Sequence, residues 1–228
     1  MKHDLEGSRD SRGRRMDLHI HSKYSDDGVL DPEEIVRIAK KKGLDGIAIT
    51  DHNTIKGGQE AQRYETADFK VILGAEIMTD KGEITGLFLS KEIESRHLED
   101  AIKEIKAQGG IVVVPHPFDG LRRSAFHITE EYAGLVDAIE AFNSRCVLGR
   151  YDRRAVEFAT RYGLPIIAGS DAHHAREIGL AGVVTHAHDI RIAILQRDLE
   201  LFGKRSPLLN HVRTKVRKIW RKATKRTQ

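Results

Sequence analysis

The sequence predicts an α/β fold, a distorted seven-stranded TIM-like (β/α) barrel with a basic helical tail at its carboxyl end. Strand-like apolar segments alternate with amphipathic helix-like segments through about seven rounds, which is typical of a mostly parallel sheet with crossover helices. No Pro- or Ser-rich linker interrupts residues 16–202. Seven strands with crossover helices favour closure into a barrel over an open sheet.

The strands follow from apolar alternation and from the turn residues that bound each segment. They are predicted at residues 16–21, 45–50, 69–79, 84–90, 111–117, 137–143 and 165–171. The third and fourth are expected to pair as a hairpin, because only the turn "DKGE" separates them. Helices are predicted at residues 30–43, near 57–66, and at 97–108, 128–136, 150–163 and 189–203.

The first helix has the clearest start and stop signals. Asp31 stands at the N-cap position, Pro32 follows at N1, and Gly43 ends the segment.

Charge divides the chain into three parts. Residues 1–15 are polar and are expected to be mobile, residues 16–202 form one predicted folded domain, and residues 203–228 form the tail. The tail holds ten Lys and Arg and no Asp or Glu, so residues 1–202 carry 28 basic against 34 acidic residues. Its apolar residues lie on one helical stripe, which predicts a basic amphipathic helix.

Cellular location is inferred from three features. Cys146 is the single cysteine of the 228 residues, so a disulfide framework is excluded. The chain shows no secretory signal, and it contains no apolar run near the roughly 20 residues of a membrane span. We therefore expect a cytoplasmic protein, with membrane binding disfavoured.

Side chains of metal-ligand types lie at or just after the carboxyl ends of five of the predicted strands. Because the carboxyl ends of parallel strands meet on one face of a barrel, these residues are expected to converge. Imidazole and carboxylate ligands suit Mn, Zn or Fe(II). The candidate ligands are His19, His21, Asp26, His52, Glu76, His116, Asp171 and His173.

Eight ligands exceed what one ion can take while it keeps open positions, so two or three ions are expected, bridged by Glu76 or Asp171. Clustered metals of this kind are typical of hydrolysis. Asp51 precedes His52 and could bind metal or orient a liganding imidazole.

The ordered motifs "DLHIHSKYSDDG", "TDHN", "GAEI", "PHP" and "GSDAH" resemble those of the PHP (polymerase and histidinol phosphatase) superfamily. The resemblance covers residues 16–174 and implies a distorted seven-stranded barrel and a metal-dependent phosphoesterase. It implies that His19 and His21 hold one ion with Glu76 and Asp171, that Asp26, His52 and His173 serve another, and that His116 joins Glu76. Relatives commonly have a His where this chain has Glu140 or Asn143, so two ions are expected and a third is left open.

The resulting hypothesis is hydrolysis of a phosphate ester by a hydroxide that bridges the metals. Asp51 or His173 would handle the proton, and no Cys or Ser nucleophile is implied. Lys23, Arg122, Arg123 and Arg145 are the candidate phosphate-binding residues, with Arg145 preferred because it lies nearest a strand end.

The expected substrate is a phosphorylated small molecule, a nucleotide or a nucleic acid end. The tail would either pack on the barrel or bind nucleic acid. Two alternatives stay open: a non-catalytic, regulatory metal-binding module, and a nuclease that binds nucleic acid through the tail. An amidohydrolase is disfavoured, because no predicted strand end offers the Lys that such a site would usually require.

Overall fold

The computed structural model describes residues 12–207 and residue 210. The six helices of this part are α1 (Pro32–Lys41), α2 (Lys56–Gln62), α3 (Leu98–Ala107), α4 (Glu130–Ala133), α5 (Gly149–Tyr162) and α6 (Ile190–Gln196). Its strands are β1 (Arg14–Ile20), β2 (Gly46–Ile49), β3 (Lys70–Thr79), β4 (Gly82–Leu87), β5 (Ile111–Val114), β6 (Ala138–Asn143), β7 (Ile166–Gly169), β8 (Ala181–Thr185) and β9 (Glu200–Gly203).

All the strands belong to one sheet in the order β7-β6-β5-β4-β3-β2-β1-β8-β9. The pairs β1–β2, β2–β3, β5–β6 and β6–β7 are parallel. The pairs β3–β4, β4–β5, β1–β8 and β8–β9 are antiparallel. The sheet is therefore mixed, whereas a mostly parallel sheet was predicted.

The sheet nearly closes between β1 and the end of β7. Ile20 and Ala172 form a parallel bridge, in which His21 N donates to Ala172 O at 2.9 Å. The buried Asp17 carboxylate accepts the backbone N–H groups of Ser170 at 2.9 Å and Gly179 at 2.8 Å. These contacts join the first strand to the loop after the seventh, and they confirm the predicted α/β barrel.

Three apolar clusters form the core. One takes side chains from eight strands, among them Leu18, Ile72 and Val113, and fills the inside of the barrel. The other two lie between the sheet and its helices, as with Ile35 of α1 and Ile105 of α3. Burial of these apolar faces is what fixes the strand ends relative to one another.

Several sequence predictions need correction. Residues 189–203 were predicted as one helix, but α6 ends at Gln196 and β9 follows, paired antiparallel with β8. The predicted helix at 128–136 is a single turn, and β8 was not predicted. The predicted hairpin is present, with Thr79 opposite Gly82.

The described residues contact the barrel slightly beyond residues 16–202 at both ends. β1 begins at Arg14, and Arg12 pairs with Asp45, so residues 12–15 belong to the barrel. At the other end, Ser206 still contacts the barrel. The amino-terminal segment up to residue 11 and most of the predicted tail lie outside the described residues. Within the described part, the chain has no helix with both the length and the apolar character needed to cross a membrane.

Candidate metal centre

Nine side chains of types that can bind a metal ion come together at the end of the barrel where the parallel strands finish. Five of them are imidazoles and four are carboxylates, and all are buried except the half-buried His52. They form overlapping groups whose ligand atoms lie within 4.8 Å of one another. The nine are His19, His21, Asp27, His52, Glu76, Glu83, His116, Asp171 and His173.

One end of the cluster is rich in imidazole. His21, Asp27, His52 and His173, which we call the imidazole-rich group, share a common point. Asp27 Oδ1 lies 3.3 Å from His173 Nε2 and 3.6 Å from His52 Nε2. The ring centroid of His21 lies 4.4 Å from that of His173 and 4.6 Å from that of His52.

Glu76 lies among the other imidazoles. Its Oε1 is 2.9 Å from His116 Nε2 and 3.6 Å from His19 Nε2. Its Oε2 is 3.1 Å from His52 Nδ1 and 3.5 Å from His21 Nε2. A carboxylate with both oxygens turned to different imidazoles is suited to bridging two ions.

Asp171 completes the centre from the β7 side. Its Oδ1 is buried, lies 3.3 Å from His21 Nε2, and has no hydrogen-bond partner within the described part of the chain. Its Oδ2 accepts from Arg122 Nη2 at 2.5 Å. One oxygen is thus available to a cation while the other is held by a guanidinium.

The backbone is strained at two of these positions. His116 and Asp171 have positive φ angles of 31° and 54°, in the left-handed region that residues other than glycine rarely adopt. Such strain persists only where the surrounding structure imposes it, and it clusters at functional sites.

Further groups orient the imidazoles. His19 Nδ1 donates to Glu140 Oε1 at 2.9 Å, and His173 Nδ1 donates to the Asp171 carbonyl oxygen at 2.8 Å. His21 Nδ1 lies 3.1 Å from Ser25 Oγ, whose hydroxyl donates to Asp51 Oδ1 at 2.8 Å. With Nδ1 donating, each ring presents the lone pair of Nε2 to the cluster, which is the usual arrangement of metal-binding histidines.

The facing nitrogens fit a cation. The Nε2 atoms of His19 and His21 lie 3.1 Å apart. Two imidazole lone pairs at this distance repel unless a proton or a metal ion lies between them. The donor set of imidazole nitrogens and carboxylate oxygens suits Zn, Mn or Fe(II). The residues present therefore fit divalent metal ions.

The electrostatics are those of a site built for positive charge. Burial, together with the neighbouring His173, lowers the pKa of His21 to about 3, so this ring is neutral. Burial also disfavours the charged form of His19, but Glu140, Asp171 and Glu76 hold its pKa well above the ordinary value. The negative charge of these carboxylates stabilises a proton on His19. The same negative charge would stabilise a bound metal cation.

The structure brings seven of the eight predicted ligands to the centre and places the other elsewhere. Asp26 is exposed, whereas its neighbour Asp27 is buried and faces His52 and His173. The loop after β1 turns so that the second of the two adjacent aspartates points inward. The geometry therefore makes Asp27, and not Asp26, the candidate ligand from this loop.

Asp51 lies beneath the cluster and not in it. Its Oδ1 accepts from Ser22 N at 2.6 Å and from Ser25 Oγ, and its Oδ2 accepts from Ser22 Oγ at 2.6 Å. Both oxygens are engaged, so the geometry favours orientation of His21 through Ser25 over the proton transfer predicted from the sequence.

The predicted phosphate-binding cations separate into different environments. Arg122 reaches the cluster, where it contacts Asp171 and Asp119. Arg123 is exposed and forms no ion pair with any residue between 12 and 207. Lys23 pairs with Asp31 and Glu60 on the surface.

Arg145, the preferred phosphate ligand, is buried and committed elsewhere. Its Nη1 lies 3.0 Å and 3.2 Å from the two oxygens of Glu177. Glu177 also accepts from His173 N at 3.0 Å and from Ser206 Oγ at 2.6 Å. Arg145 is therefore a structural ion-pair partner that supports the His173 loop, which corrects the prediction.

Two carboxylates that belong to or support this centre were not identified from the sequence. Glu83 of β4 joins the ligand atoms of His52 and Glu76. Glu177 supports the His173 loop from beneath. A carboxylate inside the apolar alternation "GEITGLFL" was the available signal for Glu83, whereas nothing local marks Glu177.

The single cysteine takes no part. Cys146 is buried, and burial together with the neighbouring Asp152 raises the pKa of its thiol to about 12. A thiol of this kind is a poor nucleophile near neutral pH.

Comparison with known protein families agrees with this geometry. The sequence matches the PHP domain over residues 17–153 and the PHP-associated family over residues 149–197. "Uncharacterized protein MJ1587" of Methanocaldococcus jannaschii is 41% identical over 143 residues, which are 57% of this chain and 82% of that protein. "Uncharacterized protein MJ0417" of the same organism is 35% identical over 173 residues, covering 73% of this chain and 68% of that one.

More distant proteins match parts of the chain or its fold. A 5'-3' exoribonuclease of Haemophilus influenzae is 41% identical over 68 residues, which are 29% of this chain and 24% of that enzyme. A two-domain protein of Bacteroides vulgatus, containing a predicted PHP-like metal-dependent phosphoesterase, superposes with a TM-score of 0.69 at 24% identity, covering 84% of this chain and 65% of that one. PsfC of Pseudomonas syringae superposes with a TM-score of 0.63 at 17% identity, covering 93% of this chain and 99% of that one. At these identities the two superpositions establish the fold.

Proposed function

Because the chain belongs to the PHP domain family, we propose that it hydrolyses phosphate esters with the help of two or more divalent metal ions. One observation carries the proposal. Five imidazoles and four carboxylates from separate loops and strands converge at one end of the barrel, with their ligand atoms within 4.8 Å of one another in each group.

Bound divalent ions would supply a nucleophile near neutral pH and would stabilise charge on the attacking and leaving oxygens. The chain's own residues prepare that chemistry. Glu76 and Asp171 each present an oxygen to His21 Nε2, at 3.5 Å and 3.3 Å. Glu140 and the Ser25–Asp51 pair keep the histidine Nε2 atoms turned inward.

Phosphate binding falls to Arg122 in this proposal. Its side chain is 23% exposed, so it borders both Asp171 and solvent. Its Nε and Nη2 donate to Asp119 and Asp171, which leaves Nη1 as the donor to a phosphate oxygen. His173 is assigned to metal binding, because its Nδ1 is engaged and its Nε2 faces Asp27.

The experiment is a substrate panel measured with the full chain. Mononucleotides, sugar phosphates, and single-stranded DNA and RNA are incubated with Mn²⁺, Zn²⁺ or Fe²⁺, and released phosphate or shortened strands are quantified. We expect metal-dependent hydrolysis of at least one class, and its loss in Glu76→Gln. Absence of hydrolysis across the whole panel would contradict the proposal and favour a non-catalytic metal-binding module.

A second candidate is a nuclease, supported by where the chain leaves the barrel. Ser206 N donates to Ser144 O at 2.7 Å and Ser206 Oγ contacts Glu177, so the carboxyl-terminal segment departs beside the loop that carries Asp171 and His173. Residues 211–228 contain eight Lys and Arg and no Asp or Glu. Basic residues in that segment would attract a phosphate backbone.

Salt dependence tests this second candidate. Binding of a single-stranded RNA is compared among the wild type, a Lys218→Gln/Lys222→Gln variant, and a Lys91→Gln/Lys103→Gln control on the barrel surface. We expect the tail variant alone to bind more weakly and to show a smaller dependence on salt. Equal behaviour of the two variants would contradict a role of the tail.

A further inference from the structure

Glu83 is a buried carboxylate to which the sequence assigned no role. It lies near the start of β4, opposite Met78 of β3 in the antiparallel register, and it is 4% exposed. This register places it beside Glu76, two residues before Met78 on the neighbouring strand. Two carboxylates from adjacent strands are thereby brought into one buried region.

Two imidazoles lie against both carboxylates. Glu83 Oε1 is 3.8 Å from His52 Nδ1, and Glu83 Oε2 is 3.8 Å from His116 Nε2. Glu76 approaches the same two nitrogens at 3.1 Å and 2.9 Å. Each imidazole nitrogen therefore faces one oxygen of each carboxylate.

The described part of the chain places no permanent cation in direct contact with this pair. Arg122 is turned to Asp171 and Asp119, and no Lys or Arg among residues 12–207 forms an ion pair with Glu76 or Glu83. His116 Nδ1 is buried and lacks a hydrogen-bond partner within the same range. Buried carboxylates in such surroundings need positive charge from another source.

We propose that Glu83 is a metal ligand, and that with Glu76 and His116 it forms a carboxylate-rich position suited to Mn²⁺. The inference rests on the proposed metal-dependent function and extends it to a residue and an ion class. Carboxylate oxygens favour harder cations, and imidazole nitrogens favour Zn²⁺ or Fe²⁺. The position thus differs in chemistry from the imidazole-rich group at the other end of the cluster.

The spacing is consistent with coordination after small side-chain movement. Ligand atoms on one ion at about 2.1 Å lie roughly 3–3.5 Å from one another. Glu76 Oε1 already lies 2.9 Å from His116 Nε2, and Glu83 Oε2, at 3.8 Å from the same nitrogen, exceeds that range by a few tenths of an ångström. A shift of the Glu83 carboxylate by that amount would bring it within coordination range.

Manganese binding tests the inference without a substrate. The full chain is freed of metal with a chelator and titrated with Mn²⁺, and free Mn²⁺ is measured by electron paramagnetic resonance to give the number of bound ions and their affinities. Glu83→Gln and Glu83→Asp are compared with the wild type. Glu157→Gln, an exposed exchange of the same kind on α5, is the control.

We expect the wild type and the control to bind at least two Mn²⁺, and Glu83→Gln to bind one of them about tenfold more weakly or not at all. Circular dichroism checks that each variant folds. If Glu83→Gln does not fold, Glu83→Asp is tested instead, and it should likewise bind one Mn²⁺ more weakly, because its shorter side chain cannot reach the ion. Binding equal to wild type would overturn the role of Glu83 and leave the proposed function intact. A wild type that binds no Mn²⁺, Zn²⁺ or Fe²⁺ would overturn both.

Discussion

The Nε2 atoms of His19 and His21 lie 3.1 Å apart, and the two residues are separated by a single residue along the chain. A regular strand would carry both side chains on one face about 7 Å apart. The β1–β2 register shifts between Asp17 and Ile20, and Glu140 and Ser25 hold the two rings from opposite sides. The irregular backbone and the supporting hydrogen bonds together bring the two Nε2 atoms close to one another.

Metal binding should stabilise the protein. A ligand present at 100 times its Kd adds about 2.7 kcal/mol to the free energy of unfolding. For a domain of this size we expect Mn²⁺ to raise the Tm of chelator-treated protein by about 5–10 °C. Scanning calorimetry measures the shift in Tm. Mg²⁺ is the control ion, because imidazole ligands bind it weakly. An unchanged Tm with Mn²⁺, Zn²⁺ and Fe²⁺ would count against a metal centre.

Asp51→Asn should weaken metal binding without removing a ligand. The substitution disturbs the acceptor that fixes Ser25, and through it His21. Loss of such a supporting group lowers metal affinity by about 10–100-fold. Titration calorimetry with Mn²⁺ measures this effect. Asp45→Asn, at the opposite end of the barrel, is the control and should bind Mn²⁺ like the wild type.

Arg122→Gln should impair hydrolysis much more than Arg123→Gln. Arg122 contacts Asp171 beside the centre, whereas the adjacent Arg123 is exposed. Removing one charge-assisted hydrogen bond to a phosphate corresponds to about 1.5–3 kcal/mol, or roughly 10–100-fold in kcat/KM. Steady-state kinetics on the substrate found in the panel measures both variants. Equal loss in both would argue that Arg122 does not contact the phosphate.

Arg145→Met should lower stability. It leaves the fully buried Glu177 carboxylate without its cation, which corresponds to a loss of about 3–5 kcal/mol. Urea unfolding measures the change. The double variant Arg145→Met/Glu177→Gln should recover part of the loss, because no buried charge is then left unpaired. A loss below about 1 kcal/mol in the single variant would contradict a structural ion pair.

The Cys146 thiol should react slowly with Ellman's reagent at pH 8 and rapidly in urea. Burial raises its folded pKa to about 12, above its value in the unfolded chain. The stability that this thiol contributes is therefore fully present below about pH 9 and is lost as pH rises toward 12. Relative to wild type, Cys146→Ala should gain stability between pH 8 and 10. Rapid labelling of the folded protein would refute the burial argument.

Much of this fold can be predicted from the sequence, because the signals for its strands and helices are local. Apolar alternation predicts the first seven strands, and ligands placed after strands converge once the sheet curls. β9 was predicted as helix, since "DLELFG" continues the helical spacing and only pairing with the distant β8 makes it a strand. Local pattern does not contain that pairing.

The errors at the site have the same origin. Asp26 and Asp27 are adjacent, and only the turn of the loop decides which one points inward. Glu83 joins the cluster through a hairpin register, and Arg145 is diverted by Glu177, 32 residues further along the chain. Each outcome depends on contacts between segments that spacing alone does not define.

The two ends of the described chain enter and leave the barrel on opposite sides. Arg12 lies by Asp45 at the start of β2, while Ser206 lies by Glu177 next to the histidine loop. A purification handle or fluorescent reporter attached ahead of residue 12 would therefore join the fold on the side away from the histidines. The same addition made directly after Ser206 would start beside the histidine loop and could compete with whatever binds there, so fusions ahead of residue 12 are the better choice for assays.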